Sequence, residues 1–240
     1  MAERRGGTQR GGRGGAGGSG PHLGRRAALI GGGLAVLGAA GLARDELARL
    51  LGGRPSRPRK AGEVDFRGAR WIEASPANRR LADRPADYRV DLVVVHVTQG
   101  GLRSAVKVFR DPAHGAAAHY IVARDGAVTQ MVRELDVGFH AGNREYNNRS
   151  IGIEHEGWVD RRSSFTDAMY AASARLTAGI CERYGIPVDR RHIIGHVEVP
   201  GADHTDPGPY WDWDRYLKLV RRAGTAGRDD RDERGKREEG

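Results

Sequence analysis

The stretch RHIIGHVEVPGADHTDPGP, residues 191–209, organises the C-terminal half of the chain. A short apolar run ends at His196, and Asp206 follows ten residues later. Prolines and glycines within and just after this interval make a helix between the two residues unfavourable. We therefore expect a strand that leads into a stiff loop. Such a loop can return a carboxylate to an imidazole, as two ligands of one metal ion require.

Length and charge limit the classes of protein that fit. A chain of 240 residues with 38% hydrophobic residues can bury one sizeable core. The net charge of +9 lies in the N-terminal segment, because residues 1–60 hold 12 Lys and Arg against 3 Asp and Glu, leaving 28 of each elsewhere. The folded part therefore shows no preference for nucleic acid. Its one cysteine, Cys181, excludes an intrachain disulfide and fits a core position.

Residues 1–43 predict an export signal. Residues 1–24 are rich in glycine and arginine and lack the apolar residues needed to pack. Arg25 and Arg26 then precede the uncharged apolar run 27–43, which is short for a membrane span of about 20 residues. The arginine pair resembles a twin-arginine signal, which carries folded proteins across a membrane. An uncleaved N-terminal anchor is the alternative, and both interpretations place the folded domain outside the cytoplasm.

Two further segments lie outside the predicted domain. Residues 44–63 contain RPSRPRK (54–60), a composition typical of a solvated linker. Residues 223–240 are almost wholly charged or small, and we expect a disordered tail there. The folded domain therefore spans residues 64–222.

Within this domain, strands and helices alternate. The β-branched run 90–97 predicts a central strand that is covered on both faces. Asp125-Gly126 between two apolar runs is typical of a hairpin. Thr166 as a cap and Gly185 as a stop delimit the clearest helix. Further elements are predicted at 104–110 (helix), 150–156 and 192–196 (strands), and from Trp213 onward (helix). We expect one α/β domain with a central mixed β-sheet flanked by helices.

His96, His196 and Asp206 are candidate metal ligands. Each histidine ends an apolar strand, where a buried unpaired imidazole would be costly. Two histidines and one carboxylate leave a fourth tetrahedral position for water, as in a catalytic zinc site, and zinc lowers the pKa of that water to about 7. The sequence has no His-Glu-x-x-His motif, which argues against the common metalloprotease arrangement. Among nine histidines, spacing alone leaves surface or core roles open.

Five motifs, in this order, resemble the zinc-dependent N-acetylmuramoyl-L-alanine amidases related to peptidoglycan recognition proteins. They are VVVH (ending at His96), AHYIVARDG (ending at Gly126), FHAGN (139–143), SIGIEHEG (150–157) and IIGHVEVPGADHTDPGPYWDW (193–213). The resemblance covers residues 70 to 220 and implies a peptidoglycan recognition protein-like fold. It also implies hydrolysis of the amide between N-acetylmuramic acid and L-alanine, with one zinc ion. The family's three ligands fall on His96, His196 and Asp206.

The resemblance also supplies two catalytic residues. The acid of the IGIE motif falls on Glu154, which the strand's period of two independently turns away from Ile151 and Ile153. It would activate water as general base and pass the proton to the leaving amine. Glu156, on the same face, is the weaker alternative. A basic residue two positions before the last ligand, lysine in some members, would stabilise the oxyanion; here His204 stands there, with an exposed loop histidine as the alternative.

Other polar and aromatic residues have two interpretations each. His140 and Asn143 are predicted to bind substrate beside the flexible Gly142, although a structural role for His140 is equally open. His119 is predicted to support the metal ligands or to fill the core, and His155 to face the core with Ile151 and Ile153. Trp211 and Trp213 fit packing of the last helix, with sugar contact by Tyr210 or Trp211 as the alternative.

The predicted function is a zinc-dependent peptidoglycan amidase that is secreted or cell-wall associated. Its expected partners are peptidoglycan or muropeptides, with no nucleic acid, and a membrane only through an uncleaved N-terminal segment. We expect a monomer. The main alternative is a non-catalytic peptidoglycan-binding module, which the complete His, His, Asp set argues against.

Overall fold

The computed structural model of the protein describes residues 62–238, with side-chain surroundings through residue 226. The predicted export signal at 1–43 and nearly all of the predicted linker at 44–63 lie outside these residues, so both stay predictions. Within the described part, no helix combines the length and the apolar character that crossing a membrane would need.

In the part of the chain that the structure describes, six strands form one mixed sheet in the order β1-β5-β4-β7-β3-β8. Strands β4, β7, β3 and β8 run parallel, β5 pairs antiparallel with β4, and β1 pairs parallel with β5. Strands β2 and β6 form a separate antiparallel pair. The bounds are β1 Arg70–Trp71, β2 Arg79–Arg80, β3 Leu92–Val97, β4 Tyr120–Val122, β5 Val128–Gln130, β6 Val137–Gly138, β7 Ser150–His155 and β8 Ile193–Gly195. The predicted mixed sheet is confirmed.

The central strand β3 is buried along its whole length because helices and loops cover both faces. Its β-branched run suits such a position. The parallel register places His96 beside Glu154 of β7 and Val95 beside Gly195 of β8. The carboxyl-terminal ends of β3, β7 and β8, which are far apart in sequence, therefore lie side by side.

Within residues 62–238, four α-helices surround the sheet: α1 Leu102–Arg110, α2 Arg144–Arg149, α3 Asp167–Tyr184 and α4 Trp213–Glu238. One face of the sheet packs against α3 and α4, through residues such as Val95, Ile153 and Leu176. On the other face, Ile121 packs against Phe109 of α1. Loop residues cover the rest of that second face, where the candidate site lies.

Helix α3 has the predicted ends. The Thr166 hydroxyl accepts a hydrogen bond from the amide of Met169 at 3.1 Å, which satisfies one free donor of the first turn. Gly185 follows the helix with φ of 66°, a left-handed conformation that glycine adopts without steric cost.

Helix α4 extends to Glu238, whereas the composition of residues 223–240 predicts a disordered tail. Tyr216, Leu217 and Val220 bury the first turns of the helix in the core. Once a helix is anchored, each added residue forms a further backbone hydrogen bond at little cost. The sequence after residue 209 contains no proline that would interrupt it.

Candidate metal centre

The loop after β8 brings Asp206 back to the strand ends. The strand ends at Gly195, and His196–Glu198 form a turn of 3-10 helix instead of the predicted last strand residue. The amide of Val197 donates to the carbonyl of Asp206 at 3.0 Å, which closes the loop. A Cβ at Gly195 would lie 2.6 Å from Pro207, so glycine is required for this close return.

His96, His196 and Asp206 form a buried cluster, as the sequence predicts. One donor atom from each lies within 4.8 Å of the others. Nδ1 of His96 lies 3.2 Å from one carboxylate oxygen of Asp206, and Nδ1 of His196 lies 3.2 Å from the other. The two imidazole rings are 4.5 Å apart between centroids. Three ligand atoms this close together are what a tetrahedral metal ion needs from the protein.

The charge states of the cluster suit a divalent cation. Burial disfavours the charged form of Asp206, but the neighbouring imidazoles of His196 and His96 outweigh this effect and hold the pKa of its carboxyl group well below the usual range. Burial lowers the pKa of His96, so its ring is neutral and keeps a lone pair. Neutral imidazole and ionised carboxylate are the forms that bind zinc, and the residues present therefore fit this ion.

Glu154 extends from β7 beside His96. Its Oε2 atom is buried without a hydrogen-bond partner among the described residues, which is unusual for a carboxyl group. Burial, together with the charge of Asp206, raises its pKa well above 4.5. A dication in the cluster would oppose both effects and favour the ionised carboxylate that a general base requires. The unpaired oxygen is thus available for a proton of water or substrate.

His204 lies at the rim of the cluster and is half exposed. Its ring stacks on that of His196, with centroids 4.3 Å apart and planes inclined by 19°. Its Nδ1 is 3.7 Å from an oxygen of Asp206, and its Nε2 is 3.4 Å from Asp203. The side chain therefore stands beside the cluster and faces solvent, where a substrate would enter.

The side chains of His140 and Asn143 both form hydrogen bonds within the protein. The buried ring of His140 lies 3.0 Å from Nε2 of His96 and 3.2 Å from the hydroxyl of Ser150. Asn143 caps α2 through its oxygen and donates its amide to the carbonyl of Pro200 at 3.0 Å. His140 therefore supports the site from within, whereas the half-buried Asn143 links the start of α2 to the loop at Pro200. Their predicted contact with substrate stays a prediction.

The other candidates have structural roles. His155 faces the helical side of the sheet, as predicted, and bonds to Ser173 of α3 at 2.7 Å. Both carboxylate oxygens of Glu156 accept backbone amides, those of Leu102 and Arg124, so Glu156 caps α1 and is a poor candidate base. Trp211 is buried in the aromatic cluster beneath α4, which confirms its packing role.

His119 lies one step beyond the cluster. It is fully buried, its Nδ1 accepts the amide of Gly152 at 3.0 Å, and its Nε2 lies 2.7 Å from the guanidinium of Arg84. Its ring centroid is 5.5 Å from that of His140. His119 therefore supports the residue that contacts His96, and it does not touch the cluster itself.

Sequence reasoning missed three residues that hold His140. Asn147 accepts the backbone amides of His140 and Ala141, Ser150 bonds to its ring, and Gly152 leaves room for it. The sequence did contain an indication of the roles of Ser150 and Gly152, because residues 150, 152 and 154 of the SIGIE motif share one face of β7. That face is the one from which Glu154 reaches the cluster.

Residues 86–209, just over half of the chain, match the family model described as N-acetylmuramoyl-L-alanine amidase. This range contains all the candidate ligands and both candidate catalytic residues. The family match therefore coincides with the part of the chain that builds the cluster.

Individual proteins show the same similarity. N-acetylmuramoyl-L-alanine amidase A of Achromobacter lyticus is 34% identical over 179 residues, covering 67% of this chain and 98% of that protein. The 1,6-anhydro-N-acetylmuramyl-L-alanine amidase AmpD of Haemophilus influenzae is 36% identical over 111 residues, 44% of this chain and 59% of that protein. The crystal structure of a selenomethionine AmpD derivative is 30% identical, with a TM-score of 0.55, covering 66% of this chain and 99% of that one. This structural similarity confirms the predicted fold.

Proposed function

Because this chain belongs to the family of N-acetylmuramoyl-L-alanine amidases, we propose that it carries out the family's reaction with one zinc ion bound by His96, His196 and Asp206. The reaction is hydrolysis of the amide bond between N-acetylmuramic acid and L-alanine in peptidoglycan. The observation that carries the metal proposal is the convergence of three buried donors from three separate strand ends and loops.

Glu154 is the proposed general base and acid. When bound, zinc would supply Lewis acidity, which polarises a carbonyl and acidifies water. The Oε2 atom of Glu154, buried and without a partner among the described residues, would take a proton from the attacking water and then give it to the leaving nitrogen of L-alanine. Its position beside His96 supports this role.

His204 is the proposed oxyanion donor. Its ring is exposed at the rim and is held there by stacking on His196. An N–H at this place can donate to the carbonyl oxygen as negative charge develops on it.

The alternative is a module that binds peptidoglycan without cutting it. Such a protein would not need a complete ligand set or a buried acid beside it. The simultaneous presence of the His, His, Asp cluster and the unpaired Glu154 oxygen favours the enzyme.

The proposed setting is outside the cytoplasm, secreted or associated with the cell wall, with the protein acting as a monomer. The sequence of residues 1–43 supports this location, because it predicts a twin-arginine signal or an anchor. The proposed partners are peptidoglycan or its soluble muropeptides.

Zinc content and product analysis of the same preparation test the proposal. The full chain and its Glu154→Gln variant, which keeps the side-chain shape, are incubated with purified peptidoglycan. We expect both to bind one zinc ion, and only the wild type to release stem peptides with a free L-alanine N-terminus. The expected loss of turnover in the variant is at least about 100-fold.

Glu156→Gln is the matched control, because Glu156 lies two residues away and its oxygens cap backbone amides. It should keep turnover. A wild type that binds zinc and peptidoglycan but releases no peptide would support the binding module instead. Loss of turnover in Glu156→Gln but not in Glu154→Gln would identify Glu156 as the general base.

A further inference from the structure

The ring of His140 occupies a space that one glycine creates. A Cβ at Gly152 would lie 2.5 Å from the ring, closer than any real contact, so only glycine permits this position. The backbone amides of His140 and Ala141 both donate to Oδ1 of Asn147, at 3.0 and 2.7 Å. The ring is therefore fixed against β7, with its two nitrogens aimed at Ser150 and His96.

A backbone carbonyl sets the direction of the hydrogen bonds that pass through this ring. The carbonyl of Tyr146 can only accept, so the hydroxyl of Ser150, at 2.6 Å, donates its proton there. The oxygen of Ser150 is then left to accept from Nε2–H of His140 at 3.2 Å. A neutral imidazole carries one N–H, so Nδ1 of His140 has a free lone pair.

That lone pair determines the tautomer of His96. Nδ1 of His140 accepts from Nε2–H of His96 at 3.0 Å, so Nδ1 of His96 carries a lone pair. This is the atom that lies 3.2 Å from Asp206. Asp206 favours the other tautomer, because its oxygen could accept a hydrogen bond if the proton of His96 were on Nδ1. The two neighbours of His96 thus compete for its single proton.

We propose that His140 is a positioning residue that holds the proton of His96 on Nε2, through the series Tyr146 carbonyl, Ser150, His140 and His96, and so keeps Nδ1 open for the metal ion. The inference rests on the proposed zinc site and goes beyond it, since the ligand set alone leaves the tautomer undetermined. A histidine ligand is usually oriented by a carboxylate, a carbonyl or water at its other nitrogen. Here a second imidazole does this, anchored by one serine.

His140→Leu and His140→Asn separate hydrogen bonding from packing. The two side chains have the same number and branching of heavy atoms, but only asparagine keeps an acceptor close to the position of Nδ1. In the zinc-free full chain, ¹⁵N–¹H NMR of the histidine rings, assigned with His96→Ala, reports the tautomer of His96. Competition with a chelator gives the zinc affinity, and His114→Leu, at an exposed histidine, is the control.

We expect the wild type and His140→Asn to show Nε2–H at His96 and similar zinc affinity. In His140→Leu the proton should move to Nδ1, facing Asp206, and zinc affinity should fall 10- to 100-fold. Ser150→Ala, which removes one hydroxyl, should shift the same NMR signal in the same direction, and it serves as the test if His140→Leu does not fold.

Unchanged tautomer and unchanged zinc affinity in His140→Leu, or in Ser150→Ala where His140→Leu does not fold, would overturn the inference while leaving the amidase proposal intact. Failure of the proposed function is distinguishable, because the wild type would then bind no zinc or His96→Ala would bind it as tightly as the wild type.

Discussion

His96 is held by hydrogen bonds at both its ring and its backbone. Its ring nitrogen meets His140, and its carbonyl accepts Nδ1–H of His155 at 2.9 Å. Burial lowers the pKa of His155 to about 4, so this residue stays neutral and keeps its other nitrogen for Ser173. The donor atom of His96 is thus positioned before any metal binds, which reduces the ordering that binding requires.

At the same scale, His204 should matter for turnover and much less for metal binding. It stacks on His196, approaches Asp206 only to 3.7 Å and lies at the solvent-facing rim. We expect His204→Ala to lower turnover about 100-fold, the loss typical of one oxyanion donor, while the chain still binds one zinc ion. Metal content and rate of peptide release are measured on the same preparation.

His204→Lys supplies the conservative comparison, since lysine places a donor at the corresponding position in some amidases of this family. It should restore most of the turnover. Equal loss of zinc and turnover in His204→Ala would mean that His204 is a structural residue of the loop.

At the scale of elements, the hairpin between β4 and β5 and the start of α3 form one packed unit. The hydroxyl of Thr166 bonds to the carbonyl of Arg124 in the hairpin loop, and Gly126 lies directly against the first turn of the helix. The turn therefore positions the helix that covers the sheet behind the site.

Gly126→Ala should destabilise the protein more than a glycine substitution without this contact. Its φ of 86° disfavours any side chain, and the new Cβ would lie 2.9 Å from the carbonyl oxygen of Ala168. We expect the free energy of unfolding to fall by about 1 kcal/mol because of the backbone conformation, and by about 1 to 3 kcal/mol more because of the clash. Denaturant unfolding at equilibrium measures the difference.

Gly185→Ala is the matched control, because its φ of 66° is similar and nothing lies within 4 Å of the added Cβ. Its free energy of unfolding should fall only by the backbone contribution. Equal losses for both variants would show that the hairpin moves away from α3 at little cost.

At the scale of the whole molecule, Cys181 reports on global opening. Its thiol is buried in the core cluster between α3 and the sheet, and burial raises its pKa to about 12. Since the thiolate is the reactive form, the folded protein should not react with thiol reagents at neutral pH.

We expect labelling of this one cysteine only as the chain unfolds, with a rate that follows the denaturant dependence of global unfolding. Mass spectrometry after timed exposure to a maleimide measures it. Rapid labelling under native conditions would mean that α3 opens locally while the rest of the domain stays folded.

Local sequence patterns predicted a large part of the fold. The β-branched run of β3, the Asp-Gly turn after β4 and the two ends of α3 each depend on neighbouring residues, and all lie where the patterns predict. The extension of α4 through residues 223–238 was not predicted, because composition reports the polarity of a segment and not the helix that precedes it.

The sequence by itself determined the order of the longer strands and helices, the family, and the candidate residues of the site, but it did not predict the short elements β1, β2, β6 and α2. Only the tertiary structure decided what those residues contact. His96 and His140 are 44 residues apart, and their hydrogen bond exists because β3 and β7 pair in one register and Gly152 leaves room for a ring. It likewise assigned Glu156 to a helix cap and left Oε2 of Glu154 without a hydrogen-bond partner within the described part of the chain. Donors and acceptors are matched by distance and direction, and sequence patterns specify neither across such separations.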